Sequence, residues 1–176
     1  IAAFRAGEQP HLVQVFEVGT ATMMAAKGAV YPVEQMMADS GEPFDGSAYL
    51  PAVVSYYQTP EGQLLSMPFN SSTPVLWYNA DALKAAGASV PTTWDEVETA
   101  AKALVANGMD CGYSFGWQSW VMIENYSAWH DIAIGTKENG FTGFDTEFTF
   151  NNDHVANRLQ AIADSQKDKL FKYGGR

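Results

Sequence analysis

The sequence predicts a mixed α/β fold, because short β-rich segments alternate with helical patterns along its length. A second observation is that several helical patterns carry their own start and stop residues. With 176 residues and 47% hydrophobic composition, the chain is long enough to bury a core, as one domain or as pieces of two.

Taken in order, Ile1 to Gly7 reads as the tail of a helix with Gly7 as its stop. Leu12 to Phe16, after Pro10, is expected to form a core strand, with Glu17 and Val18 at its end. Gly19-Thr20 leads into a helix over 21–26, and further helices are expected over 31–38 and 48–57, Pro51 suiting the first turn of the latter. Thr59-Pro60-Glu61-Gly62 is a turn before a strand over 63–67, and 75–78 is another strand. Asn79 can cap a helix that Gly87 ends. Thr93-Trp94-Asp95-Glu96 is a capping box for a helix reaching Ala106, with Gly108 as its stop. Strands are expected over 112–115 and 148–150, and a helix over 120–129. The last helix, 153–170, places Val155, Leu159, Ile162 and Ala163 on one face. The C-terminus halts at Tyr173-Gly174-Gly175-Arg176, and both ends read as those of an internal fragment.

Composition narrows the function classes. Acidic residues outnumber basic ones 20 to 10, for a formal charge of −10, which disfavours nucleic acid or an anionic membrane as partner. No apolar run approaches the roughly 20 residues that direct membrane insertion as a helix requires. Cys111 is alone, so an internal disulfide framework is excluded. His11, His130 and His154 have no metal-ligand spacing, and neither a calcium loop nor a phosphate loop is present. No cofactor or metal is therefore expected. The serines of 71–72 have no base beside them in sequence, so no catalytic residue is assigned and an enzyme is not expected.

Three places carry polar binding chemistry. Glu17, at the carboxyl end of its expected strand, can accept two hydrogen bonds from vicinal hydroxyls; a solvated loop carboxylate, or a charge facing a helix start, fits its position equally. Asn70, Ser71, Ser72 and Thr73 offer an amide and hydroxyls, and serve a turn or an N-cap as readily as a ligand. Trp117 and Trp120, with Gln118 between them, can present two indoles to the C–H face of a polyol or to a quaternary ammonium, or can be core residues. Trp77, Trp94 and Trp129 are expected in the core. No Lys or Arg lies between Lys27 and Lys84, or between Lys102 and Lys137, so these segments bring no cation to an anionic ligand.

Jointly, the runs Gln14 to Ala25, Pro68 to Val75, Cys111-Gly112-Tyr113, Gly116-Trp117-Gln118 and Glu124 to Trp129 resemble the periplasmic sn-glycerol-3-phosphate-binding receptors of ATP-driven (ABC) importers. These are extracellular solute-binding proteins related to the maltose binders. The resemblance implies a periplasmic-binding-protein-like, two-lobe, type II fold, present here as an internal fragment. Residues 1–72 would belong to the first lobe, 73–78 would cross between lobes, and 79–176 would belong to the second. It implies that Glu17 and Ser72 bind glycerol hydroxyls and that Trp117 and Trp120 wall the pocket, with Asn70, Ser71 and Gln118 behind them. Implied partners are glycerol-3-phosphate or a glycerophosphodiester such as glycerophosphocholine, and a membrane permease; the implied location is the periplasm. An oligosaccharide receptor of the same fold and a glycerophosphodiester hydrolase are the rival readings.

Overall fold

A computed structural model of the chain describes residues 2–16, 19–26, 28–116 and 119–175. The chain forms two compact units, one of Ile1–Ser72 with Gly140–Asp145, the other of Thr73–Asn139 with Thr146–Arg176. Together their helices and parallel strands make the mixed α/β architecture that the alternation of segments predicts.

The first unit contains α1 (Ala2–Arg5), α2 (Thr20–Ala25), α3 (Val33–Asp39) and α4 (Pro51–Ser55). Its core is Val54, Tyr57 and Leu64, with Val33, Phe44, Tyr49, Val53 and Tyr56 packed around them. Helix α4 is shorter than the expected 48–57. It starts at Pro51, whose fixed φ suits a first turn. Ahead of it the chain makes a 3₁₀ turn over Gly46–Ala48, where Asp45 accepts from the Ser47 N–H at 3.0 Å. The 59–62 turn forms as expected, with Gly62 at a φ of 89° that disfavours any side chain. Helix α3 is anchored to the segment just past that turn: the Leu64 N–H donates to Glu34 Oε2 at 2.9 Å and the Val33 N–H to the Leu65 carbonyl at 3.2 Å.

Two expected strands of this unit are corrected by the structure. Residues 12–16 run without strand pairing, and Leu12 and Phe16 are 85% and 80% exposed. A strand is held by pairing its N–H and C=O groups with a neighbour, and among the described residues no segment supplies one. The 63–67 strand shrinks to one antiparallel bridge, Gln58 to Leu64.

The second unit contains α5 (Ala80–Ala85), α6 (Trp94–Ala106), β1 (Tyr113–Phe115), α7 (Asn125–Trp129), α8 (Thr136–Asn139), α9 (Asp153–Lys167) and β2 (Phe171–Tyr173). Here the two caps read from sequence, Asn79 and the Thr93–Glu96 box, form, and Asn152 adds a third that the sequence reading did not name. Asn79 accepts from the Ala82 N–H at 2.9 Å, Thr93 and Glu96 make the reciprocal capping box, and Asn152 accepts from the Val155 N–H at 3.0 Å. Strands β1 and β2 pair in parallel with Tyr113 opposite Phe171. Tyr113, Phe115 and Phe171 gather their rings 4.6–6.1 Å apart. Gly112 lies so close to α6 that a Cβ there would collide with Ala101. Strand β2 has no counterpart in the sequence expectation.

Other expectations shift. Residues 75–78 form no strand, and Trp77 is 90% exposed rather than in a core. The 148–150 strand reduces to a bridge between Gly135 and Phe148. The 120–129 helix opens as a π-turn over Trp120–Glu124 before continuing as α7. In α8, Lys137 and Glu138 take left-handed dihedrals, so it is a single tight turn; the Asn139 amide oxygen accepts from the Ile134 and Gly135 N–H groups there. Helix α9 buries Val155, Arg158 and Ile162, while Leu159 is 41% exposed. The inward face thus includes an arginine where a leucine is expected.

Candidate functional site

In the first unit the relevant geometry is a groove of about 480 Å³. One side is the unpaired 12–16 segment, the other is Leu65 to Asn70, and Tyr31 and Met36 of the α3 region close it. Two segments far apart in sequence therefore border one hollow: the one that runs towards Glu17 and the one that runs through Asn70 towards Ser72. Glu17 lies outside the described residues. Asn70 lines the groove and is exposed, as are Ser71 and Ser72, so their polar groups are open to a ligand or to water. From Pro68 to Tyr78 the chain has no helix or strand until Asn79 caps α5. Pro74 accounts for part of this, since it disfavours a helical conformation at Thr73.

Electrostatically the α3 region is tied by its own side chains. Asp39 accepts from the Tyr31 hydroxyl and from the Gln35 amide, the latter at 2.7 Å. The Tyr31 hydrogen bond, then that of Gln35, holds the Asp39 carboxyl below its ordinary value, and the same contact raises the Tyr31 phenol. This favours the ionised form of Asp39, which does not itself line the groove.

In the second unit Trp117 and Gln118 lie outside the described residues. Trp120 is half-buried at the first position of the π-turn. A π-turn widens the helical ring by one residue and changes which side chains share a face. Ser119 donates to Glu124 across it at 3.1 Å. Trp120 is thus neither a sealed core residue nor a freely exposed one, which suits a ring with one covered and one accessible side. Ser72 and Trp120 belong to different units, and each is placed within its own.

Arg158 is a residue that sequence reasoning missed. Its guanidinium carbon sits 3.7 Å from the Trp94 ring centroid and 4.6 Å from that of Tyr126. Trp94 is half-buried beneath it, while Trp129 is 61% exposed, against the expectation of a core position. The available signal was spacing: Val155, Arg158 and Ile162 fall at i, i+3 and i+7, as good a helical face as the one through Leu159.

Among the described residues, no group of three His, Cys, Asp or Glu side chains is placed to hold a metal ion. Cys111 is half-buried. Among the described residues no helix is long and apolar enough to cross a membrane.

Comparison with known proteins covers the chain end to end. Proteins named "sn-glycerol-3-phosphate-binding periplasmic protein UgpB" are similar over 180 aligned residues and 100% of this chain. That of Brucella abortus (strain 2308) is 46% identical, with 42% of its own length covered. That of Rhizobium meliloti (strain 1021) is also 46% identical, with 42% covered. That of Pectobacterium atrosepticum is 48% identical, with 40% covered. The chain therefore spans about two-fifths of the length of these relatives. The family of bacterial extracellular solute-binding proteins matches residues 1–175, and the chain belongs to that family.

Proposed function

We propose that the protein is a periplasmic solute receptor that captures sn-glycerol-3-phosphate, a glycerophosphodiester, or both, and delivers it to the permease of an ATP-driven importer. The observation that supports this most is identity of 46–48% across the whole chain with relatives named for binding sn-glycerol-3-phosphate. In this reading the solute enters a cleft between two lobes that close over it. The Glu17 carboxylate and the Ser72 hydroxyl meet the glycerol hydroxyls, and the Trp117 and Trp120 indoles cover its carbon face. Exclusion of water on closure lowers the local dielectric and strengthens each polar contact. The solute leaves unaltered, so the protein acts as a carrier and not as an enzyme.

Calorimetry on the protein and on Glu17→Gln tests the assignment. A charged acceptor serving two hydroxyls contributes about 1.5–3 kcal/mol per hydrogen bond, so the variant should bind at least about tenfold more weakly. Unchanged affinity removes Glu17 from the site. Maltose in place of the glycerol ligands addresses the oligosaccharide reading, and heat on that titration alone would favour it. Release of choline from glycerophosphocholine would replace the carrier reading with a hydrolase.

A further inference from the structure

Inside the second unit, Arg158 is only 8% exposed, and among the described residues no acceptor partners its Nε–H. No carboxylate among them pairs with it. Rings surround it: Trp94 lies at 3.7 Å, Tyr126 at 4.6 Å and Phe115 at 5.8 Å, measured from the guanidinium carbon to each ring centroid. A guanidinium donates only in its own plane, so an acceptor for it must approach its edge. Burying such a group without an acceptor is costly, and a buried donor in a folded protein ordinarily has one.

Arg158 lines a cavity of about 230 Å³. A second unpartnered nitrogen lies at the same cavity. His154 Nε2 is buried and without a partner among the described residues, and its ring stacks on Tyr126 at 4.9 Å. The neighbouring His130 Nδ1 is already engaged with the Tyr126 carbonyl at 2.8 Å; an oxygen that only accepts fixes the proton on Nδ1. Asn157 and Ser165 add neutral polar groups to the wall. Two carboxylates, Asp95 and Glu98, also border the cavity; both are on the exposed side of α6, and Glu98 is held by Lys102 at 2.6 Å.

We propose that this cavity is a second binding site, which takes one small oxyanion (phosphate, sulfate or a small carboxylate) on the in-plane donors of Arg158 with His154 beside it. It uses none of the residues assigned to the transported solute and does not depend on that assignment. Burial among aromatic rings limits water around the guanidinium, which strengthens a charge-assisted bond at its edge. Burial alone draws the Arg158 pKa below its ordinary value, with Tyr113 and Tyr126 opposing that, as expected for a cation that lacks a full counter-charge.

The test is a titration of ¹⁵N-labelled protein with sodium sulfate, then with sodium phosphate, against sodium chloride at constant ionic strength. The Nε–Hε cross-peaks of the three arginines, Arg5, Arg158 and Arg176, are the readout. The peak shifted by the Trp94 ring current, absent in Arg158→Lys, should move saturably with the oxyanions and not with chloride. Arg158→Lys keeps the stem and the charge but loses the fork, and should bind at least about tenfold more weakly by calorimetry. A peak that does not move, equal movement of all the arginine peaks, or equal affinity in Arg158→Lys overturns the proposal. So does an Arg158 peak that responds to Asp95→Asn but not to oxyanions, because the acceptor would then be internal.

Discussion

The two units solve the problem of helix ends and core burial differently. In the second, α5, α6 and α9 all begin with a side-chain cap, and two parallel strands are closed by the Tyr113–Phe115–Phe171 rings. In the first, α2, α3 and α4 have no side-chain cap; large apolar residues stand in solvent in both units, Leu12 and Phe16 in the first, Trp77 and Phe148 in the second. What holds the first unit is a pair of non-local links from α3, Glu34 to Leu64 and Val33 to Leu65, laid on a small local core of Val54, Tyr57 and Leu64. The capped helices of the second unit can be weakened one at a time, although its strands β1 and β2 pair across a long stretch of sequence. A unit built on a few long-range contacts is expected to fail together when one is removed.

The largest effects should come from the cores. Phe171→Ala removes a ring that is almost wholly buried against β1 and should cost about 3–5 kcal/mol. Leu64→Ala should cost about 2–5 kcal/mol in the first unit. Hydrogen exchange read unit by unit discriminates the two. Loss of protection confined to one segment in Leu64→Ala would refute the account of the first unit as held by shared long-range contacts.

Gly112→Ala comes next. The new methyl would meet the Cα, Cβ and carbonyl carbon of Ala101, backbone and a side chain with nowhere to turn. Overpacking of this kind costs about 1–3 kcal/mol, measured as a lower urea midpoint. Ala101→Gly should restore part of the loss, since it removes one of the three atoms struck. An additive double variant would mean that β1 and α6 are not in contact there.

This contrast explains what was legible in the sequence. Thr93 with Glu96, Asn79 and the stops Gly87 and Gly108 act within one turn of the chain, so they can be read from adjacent letters, and they formed. Strands depend on partners elsewhere. The 12–16 and 75–78 segments have strand composition but no ladder, whereas Phe171–Tyr173 gains strand structure only because Tyr113–Phe115 pairs with it. Of the candidate site, the polar run through Asn70 and Ser72 was legible as exposed connection, and the structure adds the groove beside Asn70. Arg158 was not legible: a buried cation contradicts composition rules, and only the rings of Trp94 and Tyr126, distant in sequence, make room for it.

The smallest expected effect tests the local logic of the second unit. Glu96 accepts from the Thr92 N–H at 2.6 Å, the Thr92 hydroxyl at 2.7 Å and the Thr93 N–H at 3.2 Å. The Thr92 backbone bond, then its hydroxyl, holds the carboxyl below its ordinary 4.5. A depressed carboxyl stabilises the fold when ionised, so the contribution is fully present above about pH 4.5 and is lost as pH falls through the lower folded value. Thr93→Ala, which leaves the carboxylate but removes the cap to the Glu96 N–H, should cost about 1 kcal/mol at neutral pH. Glu96→Gln should instead flatten the acid limb of the stability curve, because its amide cannot titrate. Urea midpoints of the protein and both variants across the acid range separate the two effects. An acid limb as steep in Glu96→Gln as in the protein itself would move the linkage elsewhere, with Asp39 and Asp45 of the first unit, both held low by hydrogen bonds, as the groups to examine.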